Sequence, residues 1–174
     1  MHSLKTAAWL LGCLAAPAMA AHDHHAHHHA HVHGVAKLEV AVEGGRIDLR
    51  LESPLETLVG FERAPRTDQE RAAVARMHQA MKQADKLFAP TAAAGCKLVS
   101  VEVEAPVLEG KAAGEHGDLD AAFRFTCAQP GRLTGMEVRL ADHFPGMRRV
   151  DAQVVSAKGQ SATKLTAKMR FLSW

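Results

Sequence analysis

The 174-residue chain lacks the signatures by which most enzymes and nucleic-acid-binding proteins are recognised. It contains no H-E-x-x-H motif, no G-x-S-x-G motif and no phosphate-binding glycine loop. Its net charge is only +2, from 21 basic and 19 acidic residues, so no basic stripe indicates a nucleic-acid interface. We therefore predict a protein that is not an enzyme and has no nucleic-acid partner.

Cysteines are also few. The chain has three cysteines and no C-x-x-C pair, which argues against a redox enzyme of the thioredoxin type. Cys96 and Cys127 are the two outside the N-terminal apolar segment. In an oxidising compartment an even pair predicts a disulfide, with two separate buried thiols or two soft metal ligands as the alternatives.

Long apolar runs are absent as well. The longest candidate, residues 7–16 (AAWLLGCLAA), is far shorter than the roughly 20 residues that a membrane-spanning helix needs. It follows Lys5 and precedes Ala18, Met19 and Ala20, an A-x-A cleavage site. We predict that residues 1–20 are a cleaved signal peptide and that the protein is exported. A lipoprotein cleavage box ending at Cys13 is the less favoured alternative.

What the chain has in excess is histidine. Eight of its 12 histidines lie in residues 22–33, directly after the predicted cleavage site. No packed core requires that composition, whereas imidazole is a common ligand for zinc, copper and nickel. We predict that residues 21–33 form a disordered metal-binding arm. Its candidate ligands are His22, Asp23, His24, His25, His27, His28, His29, His31 and His33.

A second candidate cluster lies in a glycine-rich stretch. Glu115, His116 and Asp118 place three potential ligands within four residues, although each is an ordinary loop residue by itself. His78 and His143 stand alone, and a surface or core-edge position is the better interpretation for both. The sequence leaves the metal open, since a ligand set of histidines alone prefers copper in solution.

Hydrophobic alternation predicts a mainly antiparallel sheet in a single α+β domain, residues 34–174. Residues 35–42 and 47–51 alternate on either side of Gly44 and Gly45, which indicates a hairpin. Thr67 and Glu70 form a capping-box pattern, and the apolar positions that follow predict one long amphipathic helix that ends near Phe88 and packs on the sheet. The later segments 96–103, 120–127, 133–140, 150–156 and 162–171 are predicted strands.

The chain resembles the zinc-regulated periplasmic ZrgA-like family. The resemblance rests on residues 31–38 (HVHGVAKL), 51–54 (LESP), 58–62 (LVGFE), Cys96, 123–127 (FRFTC) and 144–145 (FP). Many members carry a second long His/Asp-rich tract in the loop before the strand that ends in cysteine. Here that loop, residues 108–119, has only a reduced version.

The resemblance implies a periplasmic zinc-binding protein of Gram-negative bacteria that scavenges or buffers zinc. It also implies assistance to an ABC-type importer or its periplasmic solute-binding protein. Two alternatives remain open: a nickel- or copper-buffering protein, and an envelope protein-interaction module that does not depend on metal.

Overall fold

The computed structural model describes residues 32–111 and 117–174. The strands are β1 (Val35–Glu43), β2 (Arg46–Pro54), β3 (Phe88–Pro90), β4 (Cys96–Glu104), β5 (Asp118–Cys127), β6 (Gly135–Val138), β7 (Arg149–Ser156), β8 (Gly159–Leu165) and β9 (Phe171–Ser173). The helices are α1 (Leu55–Val59), α2 (Asp68–Lys82), α3 (Ala84–Leu87) and α4 (Leu140–His143). Mostly β-sheet with short helices, the architecture agrees with the predicted α+β class. None of the helices in these two ranges is long and apolar enough to cross a membrane.

The larger sheet has six strands in the order β4-β5-β2-β1-β7-β8. All neighbours are antiparallel except β1 and β7, which run parallel with Val35 opposite Arg149. The β1–β2 hairpin follows the alternation in the sequence. Alternate residues of β1 such as Leu38 are buried, and Gly44 makes the turn with a φ of 56°. Tight turns of this kind favour glycine because it adopts positive φ without a Cβ clash.

One face of this sheet is apolar and the other is charged. The buried face supplies Phe123 and Phe125 from β5 to a single hydrophobic core, where the Phe88 and Phe123 rings lie 5.1 Å apart. The opposite face carries cross-strand ion pairs, including Lys37–Glu52 at 2.8 Å and Arg124–Asp48 at 2.7 Å. The helices and the smaller sheet, β3-β6-β9, therefore lie on the apolar side.

The helix after Thr67 differs from the prediction at its end. The capping box is present, with the Thr67 side chain accepting from the Glu70 N–H, and the Met77 and Met81 side chains are buried. However, α2 ends at Lys82, a separate turn α3 follows, and Phe88 begins β3. The predicted continuation to Phe88 is wrong because Phe88 pairs with Val138 in the second sheet, and that tertiary pairing overrides the helical pattern.

The predicted disulfide is confirmed. Cys96 and Cys127 lie directly opposite each other in the β4–β5 register and are bonded across a sequence separation of 31 residues. The bond ties the start of β4 to the end of β5.

Replacing both cysteines, Cys96→Ser with Cys127→Ser, should lower the free energy of unfolding by about 3–4 kcal/mol, since the unfolded chain regains the loop entropy that the bond removes. Urea denaturation of the two proteins measures the difference. Reductant should destabilise the parent protein similarly and leave the variant unchanged. An unchanged denaturation midpoint in the variant would contradict the prediction.

Glu70, in the first turn of α2, also binds the segment that precedes the helix. Arg63 donates to both carboxylate oxygens of Glu70, at 3.0 and 2.6 Å, and the Arg66 N–H donates to the same carboxylate at 2.6 Å. The Arg63 side chain, followed by the Arg66 N–H, lowers the pKa of Glu70 from 4.5 to about 2. This carboxylate therefore holds the chain between α1 and α2 in place.

The lowered pKa of Glu70 has a defined consequence for stability. The contribution is complete above pH 4.5, the ordinary pKa of Glu70, and is lost as the pH falls toward about 2. The difference in melting temperature between the parent protein and Glu70→Gln should therefore shrink over that window. Melting curves from pH 7 to pH 2 test this, with Glu39→Gln on the exposed sheet face as the control. A difference that stays constant with pH would refute the assignment.

Candidate metal site where the arm meets the domain

The N-terminal segment enters the fold at Gly34, which lies at a fixed, buried point. The Gly34 N–H donates to the buried Thr57 hydroxyl at 2.8 Å. Its carbonyl accepts from the backbone N–H groups of Arg148 and Arg149, at 2.9 and 3.0 Å. The Arg148 guanidinium also donates to the carbonyl of His33. The backbone on both sides of this point is thus held by α1 and by the start of β7.

His33, the last residue of the predicted arm, lies between two carboxylates. Its Nδ1 atom is 3.8 Å from Oε2 of Glu56, and its Nε2 atom is 3.5 Å from Oε1 of Glu62. The imidazole side chain is 59% exposed and that of Glu62 is 21% exposed. The His33 ring is therefore accessible to ions from solvent, while the Glu62 side chain is mostly buried.

The two glutamates reach this position through the short helix α1. Glu56 is in its first turn, and Gly60 ends the helix in the left-handed conformation with a φ of 89°. Glu62 follows two residues after this turn, and the His33 ring lies between the Glu56 and Glu62 carboxylates. The Arg63–Glu70 pair then fixes the segment immediately after Glu62.

The end of the second candidate cluster lies at the same place, the corner of the domain formed by His33, Gly34 and α1. The Gly117 carbonyl accepts from the N–H of Leu55 at 2.9 Å. A Cβ atom at Gly117 would lie 3.3 Å from the Glu62 carbonyl oxygen and 2.8 Å from a Val107 methyl, so only glycine fits here without a shift. Asp118 follows at once and has one carboxylate oxygen buried. The two candidate segments, far apart in sequence, thus meet at α1.

The structure places some of the sequence-predicted ligands and not others. His33 and Asp118 are described: His33 faces Glu56 and Glu62, and Asp118 lies opposite Pro54, the residue before α1. The remaining candidates lie outside the described residues: His22, Asp23, His24, His25, His27, His28, His29, His31, Glu115 and His116. The predicted signal peptide, residues 1–20, also lies outside them.

Sequence reasoning missed Glu56 and Glu62 as site residues. Glu62 ends the LVGFE motif on which the family resemblance partly rests, and that was the available signal. Glu56 carried no signal, because a glutamate in the first turn of a helix is common. His78 is half-buried on α2 and His143 is exposed at the end of α4, as expected for isolated histidines.

The described residues do not form a finished metal cage. Within residues 32–111 and 117–174, no group of three or more His, Cys, Asp and Glu side chains is arranged to hold an ion. The reason at His33 is geometric, since its two ring nitrogens face opposite ways, toward different carboxylates. What the corner offers is one imidazole and two carboxylates around a fixed backbone.

Fold and site together define an α+β domain whose histidine-bearing N-terminus meets a pair of carboxylates. The chain belongs to the ZrgA family: the family model, described as ZrgA family zinc uptake protein, matches residues 30–174. The resemblance drawn from the motifs is thereby confirmed. A comparison with curated protein sequences found no match. The zinc uptake family and the disulfide together indicate an extracytoplasmic protein.

Gly34 is the residue on which the geometry of this corner depends most directly. Its φ is +82°, and a Cβ atom there would lie 2.3 Å from Nε of Arg148. Gly34→Ala should therefore lower the free energy of unfolding by about 1–3 kcal/mol, from backbone strain and the clash.

Two other glycines provide graded controls. Gly44 has positive φ with open space around it, and Gly131 has open space and no positive φ. Chemical denaturation should rank the losses Gly34→Ala, then Gly44→Ala, then Gly131→Ala. A Gly34→Ala protein as stable as Gly131→Ala would show that this contact does not constrain the fold.

Proposed function

We propose that the protein is a non-enzymatic, periplasmic zinc-binding protein that scavenges or buffers zinc and assists its uptake with an ABC-type importer. The observation that carries the proposal is the position of His33. His33 is the last histidine of residues 22–33, called the tract below. The fold holds it against Glu56 and Glu62, at the corner where the 115–118 segment also ends. Family membership supplies the link to zinc uptake.

In this proposal the tract captures the metal. Histidines 22–31 offer many overlapping sets of imidazoles, so an ion can bind in several ways and exchange among them. Glu115, His116 and Asp118 form a smaller second group. The domain holds the tract at a defined place for a partner such as the importer or its periplasmic solute-binding protein.

Zinc is the favoured metal because the chain belongs to a zinc uptake family, and imidazole and carboxylate oxygens, which the corner supplies, are both zinc ligands. Nickel and copper are the alternative metals, since imidazoles bind both. A protein-interaction role without metal is the alternative in a different class.

The secreted chain, starting at Ala21, should bind more than one zinc ion. Replacing His22, His24, His25, His27, His28, His29 and His31 by Asn should remove most of this capacity, because the tract supplies most of the candidate ligands. Isothermal titration with zinc, and competition by nickel and copper, measure stoichiometry and preference. The double variant His78→Asn, His143→Asn is the control and should bind as the parent does.

Two results would count against the proposal. Unchanged stoichiometry after substitution of the tract would contradict capture by the arm and favour the 115–118 segment. An absence of zinc binding by the parent chain would favour the interaction module.

In cells, a deletion strain should grow poorly under zinc chelation, and the parent gene, but not the tract variant, should restore growth.

A further inference from the structure

We propose that His33 and Glu62 form a fixed zinc seat at the root of the tract, with Glu56 as the carboxylate that orients the imidazole. The inference rests on the proposed function in taking zinc as the cargo. It adds a binding site in which the folded domain, and not only the tract, supplies ligands. "Zinc seat" denotes His33, Glu62 and Glu56 below.

The first support is the distance between the two proposed ligand atoms. Nε2 of His33 and Oε1 of Glu62 are 3.5 Å apart, longer than the 2.7–3.2 Å usual for N–H···O hydrogen bonds. Two ligands of a tetrahedral zinc ion, each with a bond of about 2.0–2.1 Å, lie about 3.3 Å from each other. An ion can therefore bind both atoms with little movement of either side chain.

The second support is the other ring nitrogen. A histidine that binds a metal through one nitrogen usually donates its second N–H to a carboxylate, which fixes the ring. Nδ1 of His33 faces Oε2 of Glu56 at 3.8 Å, and the Glu56 side chain is 42% exposed and so has room to approach. Because the two ring nitrogens of His33 face different glutamates, the three side chains cannot all bind one ion. The same geometry lets His33 bind zinc through Nε2 while Glu56 accepts from Nδ1–H and fixes the ring.

The third support is that the fold orders this histidine before any metal binds. Gly34, next to His33, is bound to Thr57 and to the start of β7, and Arg148 donates to the carbonyl of His33 itself. On the other side, the Arg63–Glu70 pair holds the segment that carries Glu62. Ordering the backbone of one ligand residue costs about 1–2 kcal/mol, and at the seat folding has already ordered it.

The seat supplies two ligands to zinc, so water completes the coordination. The two carboxylates match the charge of a divalent ion. A site with exchangeable positions suits a protein that must release its cargo. The tract and the seat then act in sequence: the tract raises the local supply of zinc, and the seat holds one ion at a defined place.

The test uses a seat-only protein, the secreted chain in which His22, His24, His25, His27, His28, His29, His31 and His116 are replaced by Asn. We expect it to retain one zinc ion per chain. In that background, His33→Asn and Glu62→Gln should each weaken zinc binding at least tenfold, and Glu56→Gln should weaken it by about tenfold. Glu39→Gln and His143→Asn are matched controls and should leave the affinity unchanged.

Two further measurements exclude indirect effects. Cobalt(II) in the seat-only protein should give visible absorption typical of a protein-bound ion with nitrogen and oxygen ligands, and His33→Asn should abolish it. Melting temperatures without metal should agree among the variants, which separates loss of a ligand from loss of the fold.

The outcomes separate this inference from the proposed function. If the parent chain binds zinc and the seat-only protein binds none, the seat is refuted and capture by the tract stands. If the seat-only protein binds zinc equally well after His33→Asn or Glu62→Gln, the seat is refuted and another part of the domain supplies the ligands. If neither protein binds zinc, both proposals fail.

Discussion

The contact at Gly34 is the constraint on which the site depends. A residue with a side chain would displace Arg148 at this point, and only glycine readily adopts the positive φ found here. Its N–H reaches the Thr57 hydroxyl of α1 and its carbonyl reaches the backbone at the start of β7. Three parts of the chain, far apart in sequence, therefore meet at the residue where the tract ends and the domain begins.

The contacts of Gly34 lead directly into the parallel pairing of β1 with β7. Val35, the residue after Gly34, is the first residue of β1 and lies opposite Arg149, the first residue of β7. A parallel pair needs a long crossover, and here the chain between β1 and β7 supplies strands β2–β6 and helices α1–α4. The position of His33 is consequently set by the whole fold and not by the local sequence around the tract.

What the sequence could predict was local. The β1–β2 hairpin follows from alternation around Gly44, and the start of α2 follows from Thr67 and Glu70, because each signal lies within a few residues. The Cys96–Cys127 disulfide was the favoured interpretation of two cysteines in an exported chain, and the strands that join them are neighbours.

What it could not predict was long-range. The helical pattern continued past Lys82, but the partner that draws Phe88 into a strand, Val138, lies 50 positions later. The site shows the same limit. Glu56 and Glu62 become relevant only because Gly60 reverses the chain and Thr57 holds Gly34, and neither contact is encoded by spacing within a motif.

The charge pattern of the domain also limits where a metal can be held. The exposed face of the larger sheet carries carboxylates that are paired with cations, as in Lys37–Glu52 and Arg124–Asp48. At these pairs a divalent ion would have to displace an arginine or a lysine that folding has already placed.

Where residues 22–33 enter the domain, Glu56 and Glu62 both face the imidazole of His33, and a neutral imidazole is a zinc ligand. His33 is also the last histidine of residues 22–33. In the proposed function, capture by the histidines of residues 22–31 and retention at His33 therefore lie next to each other along the chain.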